Sequence, residues 1–186
     1  FQSDVKRALA YSSVSQVGFI LFGVGCFVYL GEEGAIGIAG SLYHVVNHAL
    51  FKGCLFLAAG SIVFRNHELN IFRLGGLFSK MRLTNLFWCI AALGIAGIPL
   101  FNGFASKTLL HDAIIEAQHL AAEGSLPEAA LLSVAEILFI VASAGTVLYF
   151  SKLTYYIFFC NRQNTVSHGE KHITEVPLWM LLGTGL

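Results

Sequence analysis

Residues 35 to 64, AIGIAGSLYHVVNHALFKGCLFLAAGSIVF, form one apolar run without an acidic residue or a proline. The run exceeds the roughly 20 residues that a helix needs to cross the hydrocarbon core of a bilayer. Lipid offers no partner for backbone N–H and C=O groups, so a segment this apolar satisfies them within itself, as a helix. Stretches of the same kind lie at 5–30 and 127–160, a third at 83–117 is interrupted by GIPLFNGF, and a new apolar run opens at 176–186. The sequence therefore specifies an all-α, polytopic transmembrane helix bundle. Its composition agrees, with 56% of residues hydrophobic and 12% charged, against roughly 25% charged in a soluble domain. No nucleic-acid partner is expected.

The chain opens on Phe1, DVKRALAYSS leads straight into a helix, and VPLWMLLGTGL supplies about half a span. A piece of a longer polytopic protein is the expectation, read as a single transmembrane fragment. Cys26, Cys54, Cys89 and Cys160 stand singly with no CxxC. Neither a disulfide framework nor a zinc site follows from them, and inert buried thiols are expected.

The positions of the charges say more than their sum. Allowing one crossing each for 5–30, 35–64, 83–117 and 127–160, nine of the eleven Lys and Arg residues fall on one side: Lys6, Arg7, Arg65, Arg73, Lys80, Arg82, Lys152, Arg162 and Lys171. The opposite side receives Glu32 and Glu33 in the 31–34 turn, and Glu123 and Glu128 in a 119–128 loop. The positive-inside rule makes the first side cytoplasmic, with its amphipathic 65–82 linker and its 161–175 loop. Lys52 and Lys107 remain. Both lie at hydrocarbon depth, where a charged side chain costs at least about 2.5 to 3.5 kcal/mol on insertion scales.

His44, His48 and Lys52 lie at i, i+4 and i+8, so they drift by only about 40° per step and share one helix face. The rise of about 6 Å per step is too long for direct hydrogen bonds along the axis and suits bridging waters. Imidazole relays protons because one ring nitrogen accepts while the other donates. Lys52 adds a switchable charge. Asn47 flanks the stripe as a partner for such waters, with Phe51, Leu55 and Phe56 as apolar walls. An HxxxH pair can also bind zinc, but no HExxH and no third ligand lie near it, so no metal is expected.

Gly94, Gly97, Pro99 and Gly103 crowd the middle of 83–117. Pro99 lacks a donor and disfavours helix at Ile98, so the helix is expected to open there. Irregular backbone at this depth survives only where protein or water satisfies it, and such breaks mark ion pathways. Lys107 follows the break, with His111 at i+4 beyond it. A plain proline kink with Lys107 snorkelling to an interface is the alternative; the apolar runs on both sides of Lys107 argue against it. Glu136, two to three turns into helix 127–160, is placed to pair with Lys107 or Lys52, or to face a neighbouring subunit. No phosphate-cradling loop, nucleophile triad, nicotinamide or flavin fingerprint, or Fe–S cysteine pattern occurs in the sequence.

In their order and spacing, DVKRALAYSSVSQVG, HVVNHALFKGCLFLAAGSIV, LGGLFSKM and GIAGIPLFNGFASKTLL resemble the antiporter-like membrane subunits of the proton-conducting transporter family. That family includes the large proton-pumping subunits of respiratory complex I, subunits of membrane-bound hydrogenases, and subunits of multi-subunit cation/proton antiporters. The resemblance covers roughly residues 1 to 160. It implies one unit of a pair of inverted repeats, containing a broken helix, plus a following helix. It also implies that His44 and His48 match the central proton relay, that Lys52 matches the lysine one turn further along, and that Lys107 matches the ionisable residue of the broken helix.

The function expected is proton translocation in a redox-driven membrane complex of the complex I or hydrogenase type, through Lys52, Lys107, His44 and His48, with His111 and Glu136 as further candidates. A sodium/proton antiporter subunit is the alternative, and a structural or assembly subunit a second. Other membrane subunits, the lipid bilayer, and protons or Na+ are the expected partners. Redox cofactors are expected in partner subunits and none in this chain. A bacterial or archaeal plasma membrane, or an organellar inner membrane, is the expected location.

Overall fold

The computed structural model describes residues 2–123, 126–160 and 174–185. Among these, the elements are α1 (Val5–Leu30), a 3-10 turn (Gly31–Gly34), α2 (Ala35–Asn66), α3 (Arg82–Ala96), α4 (Asn102–Glu123), α5 (Leu126–Thr154), a π turn (Tyr155–Phe159) and α6 (Leu178–Gly185). Helix α4 continues to Glu123, so residues 119–123, read from the sequence as loop, are helical. The 67–81 part of the linker is not helical, and it buries Ile71, Leu74, Leu77 and Met81. Of the expected 161–175 loop, residues 161–173 lie outside the described residues.

The helix ends have local causes. Asp4 caps α1, its Oδ1 accepting from Arg7 N–H at 3.0 Å and its carbonyl from Ala8 N–H at 2.8 Å. Gly31, at φ +65°, ends the same helix in a left-handed conformation that carries no Cβ penalty for glycine. At the start of α3, the Glu175 carboxylate accepts from Leu83 N–H at 2.9 Å and from Thr84 Oγ1 at 2.6 Å, taking up donors that a helix N-terminus leaves unpaired.

The chain divides into two compact units. The first comprises the described residues of 1–12, 50–92 and 148–186. In it, Val5 N–H donates to Leu69 O and Ile71 N–H to Ser3 O, tying the start of α1 to the linker. Trp88 is wholly buried, donates Nε1 to Thr154 Oγ1 at 3.0 Å and meets Phe158 edge-on at 6.0 Å. Cys54, Cys89 and Cys160 of this unit, expected to be buried, are only half-buried.

The second unit comprises 13–49 and the described residues of 93–147. Here α2 runs antiparallel to α1, with Gly37 against Gly23, Ser41 Oγ donating to Ile20 O at 3.0 Å, and His44 against Gln16. Helix α4 runs antiparallel to α2, through Gly40 against Leu109 and Leu110, His44 against Ser106, and Asn47 against Asn102. Small residues let these backbones approach closely, as helices in lipid require. Phe19, Cys26, Leu110, Ala113, Ile114 and Phe139 form the apolar core.

Two helical stretches, Val5–Asn66 and Leu126–Phe159, are long and apolar enough to cross a membrane. Val14, Val28, Leu131, Leu138 and Leu148 are among many large apolar side chains that lie more than half exposed, a surface that matches acyl chains and not water.

A Cβ on Gly23 would lie 2.3 Å from Leu110 Cδ2 and from Ser41 Oγ, and 2.9 Å from the Gly37 carbonyl; one on Gly25 would meet nothing within 4 Å. Gly23→Ala is therefore expected to destabilise the protein by about 1 to 3 kcal/mol. Gly25→Ala should stay within about 0.5 kcal/mol of the parent. Thermal unfolding of the two variants in one detergent checks the contrast.

Candidate functional site

The break between α3 and α4 begins before the proline. Ile98 N–H donates to Leu93 O at 3.2 Å and Gly97 N–H to Gly94 O at 3.0 Å, with Gly97 at φ +79°. This is the paired 6→1 and 5→2 bonding of a Schellman stop. The helix thus ends at Ala96, and Pro99 follows as a residue that keeps it from resuming. That differs from the sequence expectation, which put the opening at Ile98 and Pro99; the left-handed glycine is what ends the ladder.

The Ala96 carbonyl, left over by this stop, accepts from Lys107 Nζ at 3.3 Å. A cation at a helix C-terminus is favoured by the helix dipole. The same Nζ lies 5.1 Å from the centre of the Phe19 ring, a cation–π contact. On the other side of the gap, Asn47 Nδ2 donates to Asn102 O at 3.1 Å and Asn102 Nδ2 donates to Asn47 Oδ1 at 2.9 Å. Asn47, expected as a partner for waters, pins the first residue of α4 to α2.

His44 is buried, and both ring nitrogens are engaged: Nδ1 with Ser106 Oγ at 2.9 Å and Nε2 with Gln16 Oε1 at 3.0 Å. The His48 ring is parallel to it within 4°, at a centroid distance of 6.5 Å. In the first unit, buried Lys52 donates to Leu9 O at 2.6 Å and to Ser12 Oγ, with its Nζ 6.0 Å from the centre of the Phe150 ring. Phe51 and Leu55 are buried as expected, whereas Phe56 is exposed.

His111 and Glu136 come together, but apart from the lysine pairing expected for Glu136. Glu136 Oε1 lies 3.3 Å from His111 Nε2, and Oε2 accepts from Gln118 Nε2 at 2.8 Å. Among the described residues the ion pairs are this one and Arg73–Glu68. Neither Lys52 nor Lys107 has a carboxylate partner among them.

The sequence reading missed Gln16, Ser106, Asn102, Ser12 and Gln118. The signal for two of them, Ser12 and Gln16, was present in AYSSVSQVG, where polar residues interrupt an apolar helix. Ser106 and Asn102 carried only their proximity to the break.

The reciprocal Asn47–Asn102 bonds are expected to couple by about 0.6 to 2 kcal/mol, the range for side-chain bonds between membrane helices. A double-mutant cycle with Asn47→Ala and Asn102→Ala, read by thermal unfolding, measures that coupling; additive losses would mean that the pair does not hold the break.

Residues 1–132 match the family model described as "NADH:quinone oxidoreductase/Mrp antiporter, TM". The chain is 39% identical, over 97% of its length, to Na(+)/H(+) antiporter subunit A1 of Staphylococcus haemolyticus, and 34% identical over its whole length to the same subunit of Staphylococcus aureus. It covers 23% of each of those proteins. Among solved structures, 99% of the chain superposes on 27% of a chain of the membrane-bound sulfane sulfur reductase, an archaeal respiratory membrane complex, with a TM-score of 0.75 and 34% identity. A chain of the Mrp complex from Dietzia sp. DQ12-45-1b gives a TM-score of 0.73 and 30% identity, over 90% of this chain and 28% of that one. The chain thus spans about a quarter of the length of the proteins it matches. It is a membrane protein and belongs to the NADH:quinone oxidoreductase/Mrp antiporter transmembrane family.

Proposed function

We propose that this chain carries part of the proton path of a cation/proton antiporter subunit. The observation that carries the reading is the setting of the two buried lysines. Each has its ammonium group among neutral carbonyl or hydroxyl oxygens and an aromatic face, with no carboxylate in the described residues to lock the proton in place. Intramembrane ionisable residues of this kind belong to ion and proton pathways.

In this reading Lys107 exchanges protons beside the open backbone of the α3–α4 break. Ser106, the residue before it, and His44 carry the proton onto α2. His48 and Lys52 follow one turn apart on that helix, and water bridges each step of about 6 Å. His111 and Glu136 form a separate exchange point on α4 and α5, where a proton on His111 and a cation compete for one carboxylate. The basic loops are proposed to face the cytoplasm of a bacterial or archaeal cell. Other membrane subunits complete the path, and no redox cofactor is assigned to this chain.

The likeness to Na(+)/H(+) antiporter subunits favours exchange over the redox-driven pumping first expected. A redox-driven complex remains the second reading, supported by the likeness to a chain of an archaeal respiratory complex.

Lys52→Ala and Lys107→Ala, made in the complete complex and tested in everted membrane vesicles, are each expected to lower sodium-driven proton movement at least tenfold while assembly is retained. Undiminished movement would overturn the proton-path reading. Movement that requires a redox substrate would favour the second reading. Glu136→Gln is expected to raise the sodium concentration for half-maximal flux severalfold with a smaller change in the maximal rate; an unchanged sodium dependence would remove Glu136 from the exchange point.

A further inference from the structure

Gln16 lies in the middle of α1 with 0% of its surface exposed. Its Oε1 faces His44 Nε2 at 3.0 Å, while its Nε2 has no hydrogen-bond partner among the described residues. On the other side of the imidazole, Ser106 Oγ lies 2.9 Å from Nδ1 and donates to Gly103 O at 3.2 Å.

Counting donors decides what this cage holds. A hydroxyl has one hydrogen, so a Ser106 that donates to Gly103 can only accept from His44, and the amide oxygen of Gln16 can only accept. The three contacts coexist when both ring nitrogens carry hydrogen, which is the protonated imidazole. When His44 gives up a proton, one contact must reverse. Loss from Nδ1 turns the Ser106 hydroxyl from Gly103 to the ring. Loss from Nε2 leaves a bare nitrogen facing the Gln16 oxygen, two acceptors in contact, and a half-turn of the amide replaces that oxygen with Nε2–H. The half-turn breaks only the bond to His44, because Gln16 Nε2 is bonded to no other described group.

We infer that Gln16 is a two-position amide switch for His44, with its carbonyl toward the ring when His44 is protonated and its NH2 group toward the ring after proton release from Nε2. The inference rests on the proton-path reading above. Gln16 is a positioning residue: it takes no proton and sets which ring nitrogen can exchange one. The switch makes the two nitrogens unequal, since release at Nδ1 needs a hydroxyl rotation and release at Nε2 an amide rotation. The charged and titratable groups around the ring are His48 on α2, at 6.5 Å between centroids, and Lys107 on α4, whose Nζ lies 5.1 Å from the centre of the same Phe19 ring that His44 meets edge-to-face at 6.1 Å. On α5, Glu136 is bonded to His111 and Gln118.

The test uses the complete complex in proteoliposomes, with assembly confirmed and proton flux driven by a sodium gradient. Gln16→Leu keeps the volume and removes both polar atoms; Gln16→Glu, when ionised, can accept from His44 but not donate. Both variants are expected to lower flux about tenfold, and Gln16→Leu combined with His44→Ala is expected to be no slower than His44→Ala alone. A Gln16→Glu variant with parental flux would overturn the switch, because a fixed acceptor would then suffice. A double variant slower than His44→Ala by a further factor of ten would also overturn it, since Gln16 would act independently of His44. Undiminished flux in His44→Ala alone would instead sink the relay on which the inference rests.

Discussion

A helix interrupted at membrane depth releases backbone groups that lipid cannot satisfy, and much of the second unit is arranged around that problem. The Gly97 stop pairs two of the last carbonyls of α3 internally, Lys107 takes Ala96 O, and the Asn47–Asn102 pair ties the start of α4 to α2 across the gap. The lysine needs an acceptor because it is buried, and the helix end needs a donor because it is broken. Each solves the other's solvation problem. A charge that leaves Lys107 therefore weakens the cap on α3, so protonation and backbone geometry are coupled at this point.

The same logic extends to the other ionisable groups. Lys52 borrows an oxygen of α1, Leu9 O, which also accepts from Ser12 Oγ. His44 is enclosed by a serine and a glutamine. These partners are neutral, and the serine and glutamine side chains among them reorient by rotation. A carboxylate in their place would hold each proton more strongly than these neutral oxygens do.

The helices and the burial of the two lysines were legible in the sequence because apolar length sets the helices and Lys52 and Lys107 fall inside their apolar runs. The stripe of His44, His48 and Lys52 was legible because it lies on one helix. Contacts between helices were not. Nothing in NHALFK or PLFNGF says that Asn47 and Asn102 bond to each other, and Gln16 is separated from His44 by most of a hairpin. Glu136 shows the limit most clearly: hydropathy placed it inside an apolar helix, while the rotation of α5 about its axis, which hydropathy does not encode, turned it to His111 and Gln118. The end of α3 was located within a few residues, but proline drew attention from the glycine that stops the ladder.

The glycine contacts between α1, α2 and α4 also bear on time. Gly23 and Gly37 bring two backbones together with no side chain between them to act as a bearing, and Gly40 does the same against α4. Helices so seated cannot slide or roll without collision. Motion within this unit is then left mainly to rotamers, hydroxyls and amides, which reorient in picoseconds to nanoseconds when unhindered, far faster than the microsecond to millisecond shear of packed helices. A seam that resists large motion leaves the rotation of a few side chains as the fast freedom of this unit.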